Sequence, residues 1–261
     1  MSVSDLILEK RDGYGILTLN QPAKFNAVTA DMLCEGFKEA FEKIQMDDDI
    51  RCVIITGEGR AFCSGFDVSG FDILQNPATR HEYLKVYSDF ALWVRNLHKP
   101  LIAAINGMTA GMGLSIALLC DIRLASESSR FTAVRVIRGL LPDCGATYFL
   151  PRIIGLPKTL ELMLSGKIID AREAEKIGLV NRIVPAEKLM DEAKELAGEM
   201  AKGPPLALGL IRQATYAGMV NDLEQQLLCE TTAQRRLFET QDCAEATAAF
   251  LKKRQPLFKG K

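Results

Sequence analysis

Three short apolar runs, separated by helix-like stretches, constrain this chain more than any other feature. They are Cys52-Val53-Ile54-Ile55-Thr56, which ends at Gly57, then Leu101 to Ile105, then Ile122 to Ala125. Apolar runs of this length, interrupted only by Arg123 in the third, suit strands buried on both faces, as in a parallel sheet. Parallel neighbours need crossover connections, and helices are the usual ones. Thr29 predicts a helix N-cap, after which Leu33, Phe37, Phe41 and Ile44 recur at helical spacing until Asp47-Asp48-Asp49. Upstream, Val3 to Leu8 and Tyr14 to Asn20 predict two strands joined by the turn residues Arg11-Asp12-Gly13. Strands alternating with helices define an α/β chain.

The pattern changes after about residue 185. From there helical spacing dominates: Leu189, Ala193, Leu196 and Met200 form one stripe, and Leu223, Leu227, Leu228, Ala233 and Leu237 a looser one. Asp242-Cys243-Ala244-Glu245 has the form of a capping box opening the last helix. No linker, repeat or low-complexity segment interrupts the chain. A helical end with apolar stripes packs either on its own core or on a neighbouring molecule.

Composition narrows the function. With 261 residues the chain can bury a full core without staples. A formal net charge of −1 provides no field for nucleic acid or anionic lipid, and there is no long basic run with interleaved aromatics. Neither nucleic acid nor membrane is therefore expected as a partner. The seven cysteines form no CxxC pair and there are only two histidines, His81 and His98, so no metal site is expected. The thiols read as reduced and mostly buried. No signal peptide, membrane span or C-terminal peroxisomal address is visible, and the expected location is cytoplasmic.

Three stretches carry candidate chemistry. Gly59 to Asp67 follows the strand at Cys52–Thr56, and Asn106 to Gly113 follows the strand at Leu101–Ile105 and leads into the apolar run Leu114 to Leu119. Small residues and glycines let backbone N–H groups approach a ligand, and a helix start offers unpaired ones. Two such loops at the carboxyl ends of parallel strands can converge on one carbonyl oxygen as an oxyanion hole. The same glycines can equally make only tight turns. The third stretch, Arg138 to Thr147, contains Pro142-Asp143, where the carboxylate is either a helix cap or a general base among Leu140, Leu141 and Cys144.

Along about residues 3–259 the chain resembles the crotonase superfamily, the enoyl-CoA hydratase/isomerase family. The matching pieces occur in family order: Asn20 to Ala27, Ala61 to Asp67, Ala104 to Asp121, Gly178 to Pro185, and Phe250 to Lys259. The resemblance implies a spiral of repeated ββα units, expected over 1–185 with the acyl-CoA site, and a C-terminal helical region over 186–261 serving oligomerisation and CoA cover. It implies a homotrimer or a dimer of trimers. It also implies an acyl-CoA thioester substrate, with no cofactor beyond that coenzyme A moiety. The thioester oxygen would take N–H bonds from the positions of Ser64 and Met112. The CoA contacts would come from Lys24, Phe25, Ala27, Ala61, Ser64, Gly65, Phe66, Asp67, Gly111 and Met112, with Phe250 and Lys253 reaching a neighbour's CoA.

The resemblance breaks where hydration needs it. Hydratases of the family hold water between two glutamates, and the corresponding residues here are Ser115 and Arg135. Asp143 instead matches the Pro-Glu or Pro-Asp step that supplies the single carboxylate of several enoyl-CoA isomerases. One base suffices to move a double bond: it removes an α-proton, the oxyanion hole holds the dienolate, and the same acid returns the proton at the γ-carbon. The expected activity is therefore enoyl-CoA isomerisation with Asp143 as single acid/base, and Ser64 and Met112 as oxyanion donors. An enoyl-CoA hydratase with atypical water placement and a non-catalytic acyl-CoA-binding protein are the alternatives. Arg135 is read as solvated, paired with a carboxylate, or facing a polar acyl group. Phe71, Ile73, Leu74, Tyr83, Val86 and Tyr87 suggest an apolar or aromatic acyl group, or ordinary packing. Neither Ser64 nor Ser115 sits in a GxSxG elbow, which disfavours a serine hydrolase.

Overall fold

The computed structural model describes residues 5–70 and 76–261. Of the expected features, Val3, Phe71, Ile73, Leu74 and the side chain of Tyr83 lie outside the described residues. The first hairpin pairs β1 (Leu6–Lys10) with β2 (Tyr14–Leu19) in antiparallel register. A π-helical turn (Met32–Gly36) then runs into α1 (Phe37–Met46), and the Thr29 hydroxyl accepts from the Met32 N–H at 3.2 Å, as an N-cap should.

Next the chain repeats one unit. Two strands, one for each of two sheets, precede a helix. β3 (Cys52–Gly57) and β4 (Ala61–Cys63) precede α2 (Pro77–Asn96). β5 (Leu101–Ile105) and β6 (Met108–Ala110) precede α3 (Met112–Leu119). β7 (Ile122–Ser126) and β8 (Arg130–Thr132) precede α4 (Ala146–Ile154) and α5 (Leu156–Ser165). The first strands stack in a six-stranded sheet of order β1-β2-β3-β5-β7-β10, where β10 is Arg182–Val184. The second strands stack in a sheet of order β4-β6-β8-β9, where β9 is Ile169–Asp170, just before α6 (Ala171–Lys176). This is the expected α/β spiral of ββα units.

The apolar runs of β3 and β5 now have a physical reason. Val53, Ile55, Ala103 and Ile105 face the main core, while Cys52, Ile54, Ile102 and Ala104 face a second core on the other side of the sheet. Each fully buried Val, Leu or Ile contributes about 1.5–3 kcal/mol relative to its exposed state. The second core is closed by α7 (Leu189–Ala201), whose Leu189, Ala193 and Ala197 are buried against those strands. The first apolar stripe beyond residue 185 thus packs on its own core.

The later helices are α8 (Pro205–Ala217), α9 (Leu223–Phe238) and α10 (Gln241–Leu251). Buried Arg212 of α8 holds Asp121 through Nε and the carbonyls of Val94, Arg95 and Leu97 through its other nitrogens, tying α8 to the end of α2. The stripe on α9 is left open, with Leu223 and Leu228 exposed. The expected capping box at Asp242 is corrected: Thr240 caps α10 by accepting from the Cys243 N–H. Asp242 is buried and accepts instead from the N–H groups of Lys259 and Gly260, so its charge anchors the C-terminal tail. Glu245 pairs with Arg254 and also accepts from the Leu257 N–H.

Candidate active site

The turn from β3 into β4 is held by asparagines. Buried Asn26 donates to the carbonyls of Glu58 and Ala61 at 2.8 and 2.6 Å. Asn106, just after β5, donates to the carbonyls of Gly57, Gly59 and Ala61. Ala61 is 1% exposed with its carbonyl taken twice, so it supports this loop rather than facing a ligand. Ala27 is likewise buried. Phe25 and Asn26 both adopt left-handed backbone, at φ 52° and 58°, which turns the Lys24–Phe25 step outward. Lys24 pairs with Asp67 at 2.7 Å, and that bond, with those from Ser69, lowers the Asp67 pKa to about 2. The Arg60 guanidinium lies 4.2 Å above the Phe25 ring centroid.

The first oxyanion position needs correcting. The Ser64 N–H donates to the Phe25 carbonyl at 3.0 Å, and the Ser64 hydroxyl to the Lys24 carbonyl, so Ser64 is spent on the Lys24–Phe25 turn. Two residues on, Phe66 forms a parallel bridge with Val28. Val28 N–H donates to the Gly65 carbonyl and Asp67 N–H to the Val28 carbonyl, both at 2.8 Å. In such a bridge the Phe66 N–H points the other way, and it has no hydrogen-bond partner among the described residues. The free amide of this loop therefore belongs to Phe66.

The second loop meets the first closely. A Cβ on Gly65 would stand 3.2 Å from the Ala110 carbonyl oxygen and 3.8 Å from the Met112 nitrogen. Gly65 itself has φ +114°, a backbone open only to glycine. Gly111, at φ 51°, starts α3, and Met112 is its first residue, so the Met112 N–H is one of the unpaired donors at a helix start. Gly113, the second residue of α3, lies against the backbone of β4, where a Cβ would collide with the Cys63 carbonyl. The Phe66 loop and the Gly111 start of α3 thus border one narrow cleft, lined by Ser64, Gly65, Phe66, Val68, Gly111, Val134, Arg135, Arg138 and Leu140, with the Met112 amide just behind Gly65.

Asp143 lies ahead of α4 and caps nothing: Gly145 holds the cap position, with no side-chain cap bond. Its carboxylate receives Arg135 Nη2 at 2.8 Å on Oδ1 and 2.7 Å on Oδ2. Of the readings open for Arg135, the structure shows pairing with a carboxylate, through Nη2. The two side chains are 10% and 26% exposed, so the acid is accessible but poorly solvated. Burial raises the Asp143 pKa above the ordinary carboxylate value, and the Arg135 charge opposes the rise. Ser115, which stands where hydratases keep a glutamate, is buried and donates its hydroxyl to the Asp143 backbone carbonyl at 2.9 Å. It links the helix carrying the Met112 amide to the loop carrying the acid. Cys144, in left-handed backbone at φ 50°, follows directly, and burial pushes its thiol pKa well up.

Phe250 and Lys253 are exposed at the end of α10 and do not line this cleft. Three features escaped sequence reading: the free amide of Phe66, the cation–π support of Phe25 by Arg60, and the closeness of Tyr87 to Arg135. The bridge register and helix packing that create them have no local signature.

Two glycine loops of the ββα spiral thus meet near the half-buried Asp143. The family model described as enoyl-CoA hydratase/isomerase matches residues 9–261, and the chain belongs to that family. A 1,2-epoxyphenylacetyl-CoA isomerase of Escherichia coli (strain K12) is 36% identical over 252 residues, spanning 95% of this chain and 96% of its own. A short-chain-enoyl-CoA hydratase of Clostridium acetobutylicum is 36% identical over 259 residues, spanning 98% and 97%. The crystal structure of an enoyl-CoA hydratase from Bacillus anthracis superposes with TM-score 0.94 at 31% identity, covering 98% of this chain and 100% of that one.

Proposed function

We propose that this acyl-CoA enzyme is an enoyl-CoA isomerase in which Asp143 is the single acid/base. The observation that carries this reading is Asp143 itself: its carboxylate is half-buried and raised in proton affinity, and its backbone carbonyl is tied by Ser115 to the helix of the Met112 amide. The thioester oxygen takes N–H bonds from Phe66 and Met112, each donor being worth about 3 kcal/mol of transition-state stabilisation. Asp143 removes the α-proton of a 3-enoyl thioester and returns it at the γ-carbon. The amides hold the dienolate between the two steps. Ser115 and Arg135 leave no carboxylate pair to orient a water, which argues against hydration. Lys24, Phe25, Gly65, Asp67 and Gly111 form the wall along which the CoA arm lies. The open apolar stripe of α9, together with exposed Phe250, supports assembly as a trimer.

The test is α-proton exchange in deuterated water combined with thioester absorbance. The wild type converts a 3-enoyl-CoA into the conjugated, absorbing 2-enoyl form. Asp143→Asn, folded and still binding CoA, loses both exchange and conversion. Retained isomerisation by Asp143→Asn, or loss of the conjugated absorbance as the main reaction of a 2-enoyl-CoA, overturns the proposal.

A further inference from the structure

Tyr87 carries the one buried side-chain oxygen or nitrogen without a hydrogen-bond partner among the described residues, its phenolic hydroxyl. The residue lies on α2 and is 3% exposed. Its ring packs directly behind the cleft wall: the Phe66 ring centroid is 5.6 Å away and the Arg135 guanidinium carbon 5.8 Å from the ring centroid. Phe66 and Arg135 both line the cleft. Arg135 and Asp143 are the charged neighbours of Tyr87. Burial raises the phenol pKa, which keeps the hydroxyl a neutral donor at physiological pH. Arg135 comes near enough to pull the phenol pKa slightly back down, but no guanidinium N–H meets hydrogen-bond geometry with the hydroxyl, and Nη2 is committed to both Asp143 oxygens.

Buried tyrosine hydroxyls ordinarily find partners, because an unmet one is worse than the plain ring of phenylalanine. A hydroxyl kept here without one needs a partner that arrives with the substrate. The nearby cation is already neutralised by Asp143, so an acyl carboxylate gains nothing at this spot. We propose that Tyr87 is a specificity-determining residue. In this reading its hydroxyl hydrogen-bonds to an uncharged oxygen on the acyl group, so the preferred substrates are oxygenated acyl-CoA thioesters rather than plain hydrocarbon ones. The inference rests on the cleft being the acyl site proposed above, but not on Asp143 being the base.

The test reads binding without turnover. Titration calorimetry compares hexanoyl-CoA with hexanoyl thioesters carrying one hydroxyl or keto oxygen at successive carbons. The wild type binds at least one oxygenated member more tightly than hexanoyl-CoA by on the order of tenfold. Tyr87→Phe removes that preference and leaves hexanoyl-CoA binding within about twofold. No oxygen preference in the wild type, an undiminished preference in Tyr87→Phe, or equal weakening of both ligand types overturns the proposal. Without ligand, Tyr87→Phe melts at or above the wild-type temperature; a variant that unfolds shows that the hydroxyl has a structural role in the free chain and equally overturns it. Because these ligands do not isomerise, failure here is distinct from failure of Asp143→Asn to lose activity.

Discussion

Arg135→Met isolates the electrostatics of the proposed base. Arg135 is the largest influence lowering the Asp143 pKa, and burial is the largest raising it. Their contact at 2.7 Å is little screened, since the side chains are only 10% and 26% exposed. An arginine this close lowers a carboxylate pKa by about 1–3 units. Removing it therefore lifts the Asp143 pKa further by about that much, or about 1.4–4 kcal/mol at 1.36 kcal/mol per unit. A base works only when deprotonated, so the acid limb of the kcat/KM profile for α-proton exchange moves up by about 1–3 pH units. At high pH, activity recovers toward a plateau. Stability has a matching sign. A carboxylate whose folded pKa is raised contributes stability that is present below its unfolded pKa, near ~3.9, and is lost as pH rises through the folded value. Breaking a buried pair costs about 3–5 kcal/mol, here toward the lower end because Asp143 is partly exposed. That deficit appears at neutral pH and shrinks in acid, and urea midpoints across the pH range measure it. An acid limb that stays in place while activity falls equally at every pH refutes the reasoning.

Other outcomes follow from the same geometry. Gly113→Ala drives a Cβ into the Cys63 carbonyl, which is backbone and cannot swing aside; the expected loss is about 1–3 kcal/mol in denaturant unfolding. Ser115→Ala removes a bond to the Asp143 carbonyl while the Ala146 N–H still donates there. That predicts a fall in kcat on the order of tenfold, with CoA affinity unchanged by calorimetry. Light scattering should give three times the chain mass, and charged substitutions at Leu227 and Leu228, both exposed on α9, should reduce it to one.

The strands were legible because burial on both faces leaves a signature in consecutive residues, as in Cys52 to Thr56. The stripe from Leu189 to Met200 was legible as a helix, but not as the cover of the second core, because periodicity does not name the opposing surface. Asp242 misled for a related reason. Its spacing to Glu245 imitates a capping box, while its real partners come from the chain end. At the site, the Pro142-Asp143 step left helix cap and base both open, and only the fold, which gives the cap position to Gly145, decides against the cap. Arg135, the partner of Asp143, was seen, but their pairing depends on how the loop between them folds. The choice between Ser64 and Phe66 turned on the direction of an N–H, and that is set by the bridge to Val28, a contact between distant segments.

The hydroxyl of Ser115 has a consequence for how this reaction type can change. The position is not vacant ground where a glutamate can simply be put back to recruit water. A longer, charged side chain there would dismantle the strut beneath Asp143, so gaining one chemistry at this site means first surrendering the other.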